Sequence, residues 1–145
     1  MRLLISEVLQ NVSYAKTKKE KIELLQEYNT DTLRMLLIWN FDESVISELP
    51  IGEVPYEKNE APIDTEHTKL EQQSRLFYNF VQGGNNNLTQ TRRENMFIQM
   101  LEGLHKDEAH VLSLVKDKKL GKKYKITRAC VSEAFPKINW GGRTA

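Results

Sequence analysis

The apolar residues of this chain recur at three- and four-residue intervals and nowhere alternate with polar ones. That period places them on one face of an α-helix, whereas a half-buried strand would need a period of two. Leu4, Ile5, Val8, Leu9 and Val12 predict a first helix near residues 2–13. Thr17-Lys18-Lys19-Glu20 has the form of a capping box, in which Thr oxygen and Glu carboxylate satisfy orphan amides at a helix start. It opens a second helix running to about Tyr28, with Ile22, Leu25 and Tyr28 inward. Thr30 caps a third, with Leu33, Leu36, Leu37 and Phe41 on one face and Met35, Ile38 and Trp39 beside it. A segment so apolar all round predicts a central, buried helix.

Residues 42–63 read differently: Pro50, Pro55, Pro62 and Gly52 punctuate an acidic stretch without sustained periodicity, which predicts a long connection. Asp64 or Thr65 opens a fourth helix to about Val81, with Leu70, Phe77 and Val81 inward. Gly83-Gly84-Asn85-Asn86-Asn87 forms a loop, and Thr91-Arg92-Arg93-Glu94 is a second capping box. It opens a fifth helix carrying Met96, Phe97, Met100, Leu101 and Leu104. A sixth covers about Asp107–Lys118, a Lys-Leu-Gly-Lys-Lys turn interrupts, and a seventh spans about Ile126–Phe135 before Pro136. At 145 residues the chain has room for one domain, 1–145. The expectation is an all-α, compact bundle of about six to seven helices with a long acidic connection.

The chemistry of several function classes is missing. Met1–Gln10 is a short apolar run broken by Glu7, with neither the form of a signal peptide nor that of a membrane span. A cytoplasmic protein with no membrane partner is expected. One cysteine, Cys130, rules out an internal disulfide, and its place on the inward face of the last helix predicts a small buried filler. His67, His105 and His110 are the only imidazoles; five residues separate the last two, so they do not share a helix face as a metal pair would. Surface histidines beside Glu102, Asp107 and Glu108 are the simpler reading. There is no P-loop, no Gly-x-Ser-x-Gly elbow and no Rossmann glycine pattern. No enzyme, cofactor or metal is expected.

Charge is the remaining signal. Lys plus Arg number 21 and Asp plus Glu 20, for a net +1. The near-neutral total conceals a cancellation: residues 41–73 hold nine acids and two bases, a balance of −7, and residues 105–145 hold ten bases and four acids, a balance of +6. Lys116 to Arg128 alone carries seven bases and one acid, Asp117. Lysines clustered around a tight Gly turn suit a polyanion backbone. The same charges could equally be a solvated helix end, where cations favour the terminal carbonyls.

A family resemblance bears on that choice. The motifs Asp-x-x-Leu-Gly (Asp117–Gly121), Ile-x-x-Ala (Ile126–Ala129) and Phe-Pro-Lys-Ile (Phe135–Ile138) follow the helix order above. With them, the chain resembles the N-terminal helical DNA-binding domain of ATP-dependent DNA ligases, above all those of T-even-type phages. What the resemblance implies is a stand-alone phage protein with that fold, holding duplex DNA by its backbone, including around a nick. By position it points to Lys116, Lys119 and Lys122, and to Lys16, Lys18 and Lys19 at the turn before the second helix; the basic run adds Lys118, Lys123, Lys125 and Arg128. Three departures stand out. No Lys-x-Asp-Gly nucleotidyl-transfer motif is present, so ligase activity is not implied. Lys116 stands where the family pattern has Arg, removing a forked phosphate donor. The acidic stretch 42–73 would repel DNA on a shared face.

The expected function is therefore a non-catalytic DNA-binding accessory protein. The alternative is a protein-interaction or virion-associated module that keeps the fold but not DNA binding, meeting a protein through the acidic segment 42–73 or through Trp140 as an exposed anchor. In a contrasting reading Trp140 folds back onto the core.

Overall fold

A computed structural model of the chain describes residues 4–52, 54–57 and 69–141. The architecture is all-α, as the periodicity predicts, with seven α-helices and two 3-10 segments among the described residues. In chain order the helices are α1 (Ile5–Tyr14), α2 (Lys18–Glu27), α3 (Asp31–Phe41), α4 (Gln90–Gly103), α5 (Lys106–Lys116), α6 (Leu120–Tyr124) and α7 (Arg128–Ala134). Threonine starts four of them. The hydroxyls of Thr17, Thr30, Thr89 and Thr127 accept amide protons from Glu20, Leu33, Arg92 and Cys130 at 3.2–3.3 Å.

Helix α5 is the hub. It packs on α1, α3, α4 and α6, and its Ala109, Val111, Leu112 and Val115 are fully buried. Helix α3, read from sequence as the central one, buries Leu33, Leu36, Leu37 and Trp39 but leaves Met35 41% exposed. Its apolar surplus is spent instead on an aromatic cluster in which Trp39 meets Phe77 and Phe80, and Phe80 meets Phe97 edge-on at 5.2 Å. On the opposite flank α2 packs against α1 and α7.

Three expectations are corrected. The fourth helix, whose expected start at Asp64 or Thr65 lies outside the described residues, is replaced over its visible part by 3-10 segments at Leu70–Gln72 and Ser74–Phe80. Tertiary partners capture the backbone groups an α-helix would need: the Leu70 amide donates to Glu108 Oε1 at 3.0 Å, and Thr32 Oγ1 donates to the Glu71 carbonyl at 2.7 Å. The three-residue repeat then aligns Phe77 with Phe80 rather than with Val81. Val81 is extended and forms an antiparallel bridge with Ser47.

The second correction concerns the cap of α4, which is Thr89 and not Thr91. Starting two residues early puts buried Arg93 in the first turns, where it donates to the carbonyls of Asn79 and Asn85 and to Gln90 Oε1. That guanidinium organises the loop the sequence marked at residues 83–87. The third correction is the Lys-Leu-Gly-Lys-Lys turn, whose residues from Leu120 on belong to the short helix α6. Residues 42–52 and 54–57 form no helix, as the prolines predict, and residues 58–63 of that connection lie outside the described part.

Candidate nucleic-acid interface

The basic run begins at the end of α5 with a Schellman turn. The amides of Lys118 and Lys119 donate to the carbonyls of Val115 and Leu114 at 3.0 and 2.8 Å, and Lys118 takes the left-handed conformation (φ 58°). Helix α6 follows, its first amide, Leu120, held by buried Asn40 Oδ1 at 3.0 Å. Gly121 is required at this junction. A Cβ there would lie 2.6 Å from the Ile126 carbonyl oxygen and 3.2 Å from the Phe41 ring.

This geometry sorts the candidate lysines. Lys116 is removed from the candidates: it is 2% exposed, and its ammonium donates to the carbonyls of Pro50 (2.6 Å) and Gly52 (3.1 Å) and pairs with Asp117 Oδ1 at 2.6 Å. A buried ammonium with three acceptors has no donor left for a phosphate. Asp117 completes the clamp by accepting the Gly52 amide at 3.2 Å. The run's first two residues therefore staple the acidic connection to the bundle.

Lys118 is exposed, but its ammonium is partly committed. Its ammonium donates to the carbonyls of Trp39 and Asp42, both at 2.7 Å, so a cation sits at the C-terminus of α3 where the helix dipole favours it. Burial pushes its pKa down, against the pull of Asp42 and Glu43. One of its three N–H donors is left for another acceptor.

Lys118, Lys119, Lys122 and Arg128 line one open cleft of about 570 Å³, whose far wall is Asn40, Phe41 and Glu43 from the end of α3. Phe41, Asn40 and Glu43 lie some eighty residues from the basic run, and no local pattern marked them as part of a site, Phe41 being read only as a core position of α3. The other candidates lie elsewhere. Lys123 faces a second, polar cleft of about 450 Å³ with Glu7, Asp107, His110 and Tyr124. Burial pushes the Tyr124 phenol there up to about 12, with Asp107 adding to it. Lys125 is exposed and left-handed (φ 56°), and its carbonyl receives the Lys21 ammonium at 2.6 Å. Lys16, Lys18 and Lys19 are exposed at the start of α2, the helix that packs on α7, and Lys18 pairs with Glu133 at 3.1 Å.

The expected acidic repulsion is partly separated from the cleft. Glu71 sits by Thr30 and Leu33 near the start of α3, whereas the cleft lies at its other end. Nine residues of helix place Thr32 and Phe41 about 13 Å apart. Glu43 lines the cleft itself and Asp42 acts on Lys118 beside it, while Glu53, Glu60, Asp64 and Glu66 lie outside the described residues.

The other singled-out residues also find places. His105, expected on the surface, is 6% exposed; its Nδ1 caps α5 by accepting the Asp107 amide at 3.1 Å. His110 is exposed and His67 lies outside the described residues. Cys130 is a buried filler, its thiol pushed up by burial. Trp140 is half-buried against the core, with the Arg128 guanidinium 4.9 Å from its ring centroid. That places it closer to the folded-back reading than to an exposed anchor. Among the described residues no cluster of three or more His, Cys, Asp or Glu could hold a metal ion, and no helix is long and apolar enough to cross a membrane.

No curated protein and no solved structure matches the chain. A family of unknown function, DUF6433, matches residues 8–122. That span takes in most of α1, all of α2 to α5 and the first residues of α6, so it includes Lys118, Lys119 and Lys122 but ends before Arg128. The family description carries no activity, ligand or partner. On this extent of match, the chain belongs to the DUF6433 family.

Proposed function

We propose that this protein is a non-catalytic accessory factor that holds duplex DNA by its phosphate backbone, using the cleft of Lys118, Lys119, Lys122 and Arg128. One observation carries the reading: two separate segments, the α5–α6 turn with α6 and the start of α7, deliver four cations to a single open cleft. Arg128 supplies there the forked donor missing at position 116. Lys16, Lys19 and Lys125 are exposed outside the cleft and are not needed for this reading. The resemblance to the helical domain of DNA ligases points to the same ligand.

Contacts of this kind are sequence-independent and salt-sensitive. Three or four phosphates neutralised give a slope of about −2.7 to −3.6 in log affinity against log salt. Glu43 within the cleft and the net charge of +1 keep the binding modest. The test is titration of intact and nicked duplex at two salt concentrations, with wild type and Lys119→Glu/Lys122→Glu/Arg128→Glu. Binding should weaken at least tenfold or so in the triple variant while the thermal unfolding curve is kept. No binding at low salt, or equal binding by the variant, would overturn the proposal.

A further inference from the structure

Arg128 occupies the first turn of α7, directly behind its cap Thr127. A cation there opposes the helix dipole, which favours anions at that end, and α7 has no acid in its first turn to compensate. Among the described residues no carboxylate pairs with Arg128; its neighbour is the Trp140 ring, 4.9 Å from guanidinium carbon to centroid.

The segment carrying Trp140 is tied down on both sides. The Ile138 amide donates to the Phe135 carbonyl at 3.1 Å, and the Gly141 amide to Asp42 Oδ2 at 3.0 Å. Asp42 is buried at the end of α3, and its carbonyl accepts the Lys118 ammonium. Residues 135–141 thus run as a strap from α7 to the end of α3, the two elements that flank the basic cleft. The ring attracts the guanidinium without offering an oxygen acceptor, so no carboxylate or carbonyl takes up its N–H donors there. Held that way, it also loses less side-chain freedom when a phosphate arrives.

We infer that Trp140 is a positioning residue for the cleft: through its ring, the strap holds the Arg128 guanidinium ready for a phosphate of the bound backbone. This rests on the phosphate-binding reading of the cleft, and it adds a device that lies beyond residue 122, where the family match ends.

The test uses the full chain with duplex DNA at low salt, comparing wild type, Trp140→Leu, Trp140→Phe, Arg128→Gln and the double variant Trp140→Leu/Arg128→Gln. Trp140→Leu, which keeps apolar bulk without a ring, should weaken binding about threefold, and Trp140→Phe should recover most of it. Arg128→Gln should weaken binding at least as much, and Trp140→Leu should add nothing on top of it. Trp39 is buried with its indole N–H on Ser47 Oγ at 2.8 Å, so it serves as a steady fluorescence background. DNA should change Trp140 emission in wild type and leave it unchanged in Arg128→Gln. If Trp140→Leu fails to fold, the emission response and Arg128→Lys, which keeps charge but loses the fork, decide the matter; Arg128→Lys should weaken binding. Wild-type affinity in Trp140→Leu, or independent additive effects, overturns the positioning role and leaves DNA binding standing. Absence of wild-type binding overturns both.

Discussion

Lys116 and Lys119 stand three residues apart in one basic run and do opposite work. Lys116 faces inward and holds two carbonyls of the acidic connection, while its ion-pair partner Asp117 accepts the Gly52 amide. Lys119, with Lys122 and Arg128, faces an open cleft. A charge count treats these cations as equivalent; burial separates them into a staple and a surface. The positive charge of the segment is therefore smaller, as a binding feature, than its composition suggests. Part of it is consumed in folding.

The contrast can be tested by breaking each half. Lys116→Ala should have the largest effect, about 3 kcal/mol of stability, because it strands a nearly buried Asp117 and two carbonyls. In a chain of this size that lowers the melting temperature by roughly 10 °C, read by circular dichroism; an unchanged melt would show that Lys116 is not a staple. Gly121→Ala comes next, at about 2 kcal/mol, since the added methyl collides with the Ile126 carbonyl and the Phe41 ring. It should also loosen the cleft, whose wall includes Phe41, so DNA affinity should fall together with stability.

Glu108 sharpens the comparison from the acidic side, as a buried carboxyl with no counter-ion among the described residues, unlike Lys116. It is 1% exposed and accepts the amides of Ile5 and Leu70 at 3.2 and 3.0 Å. Burial raises its pKa most; the two amide bonds pull it down, and Glu7 and Glu71 push it up. The folded protein thus retains this proton to higher pH than the unfolded chain does. Stability should fall as pH rises from the ordinary carboxylate range through the raised folded value, and Glu108→Gln should flatten that slope in melts taken at several pH values. The smallest effect is expected at Glu43, the one carboxylate lining the cleft among the described residues. Glu43→Gln should raise DNA affinity about twofold without moving the melting temperature.

Much of the helical frame was legible because its signals are local. Thr17 and Thr30 announce their helices by a side chain three residues from the amide it caps. The spacing of Leu33, Leu36 and Leu37, or of Phe97, Met100 and Leu101, places them inward whatever their neighbours are. Misreadings arose where a distant group overrode the local pattern. Thr91 looks as good a cap as Thr89 until Arg93 is seen to need a helical position beside the 79–88 loop. The Leu70–Phe80 stretch is helical in periodicity, yet Glu108 and Thr32 claim its backbone.

The amino-acid sequence alone determined an all-α chain, the faces most helices bury and the concentration of cations between residues 116 and 128. These follow from side-chain period and cap chemistry, which act over three or four residues. Which of those cations face solvent was decided by tertiary structure. The end of α3 brings Asn40, Phe41, Asp42 and the Trp39 carbonyl against the basic turn across some eighty residues of chain. Only that packing gives Lys118 its acceptors, seats Leu120 and Gly121, and leaves Lys119, Lys122 and Arg128 around a cleft. Contacts that close over such separations depend on the whole fold, so no window of sequence contains them.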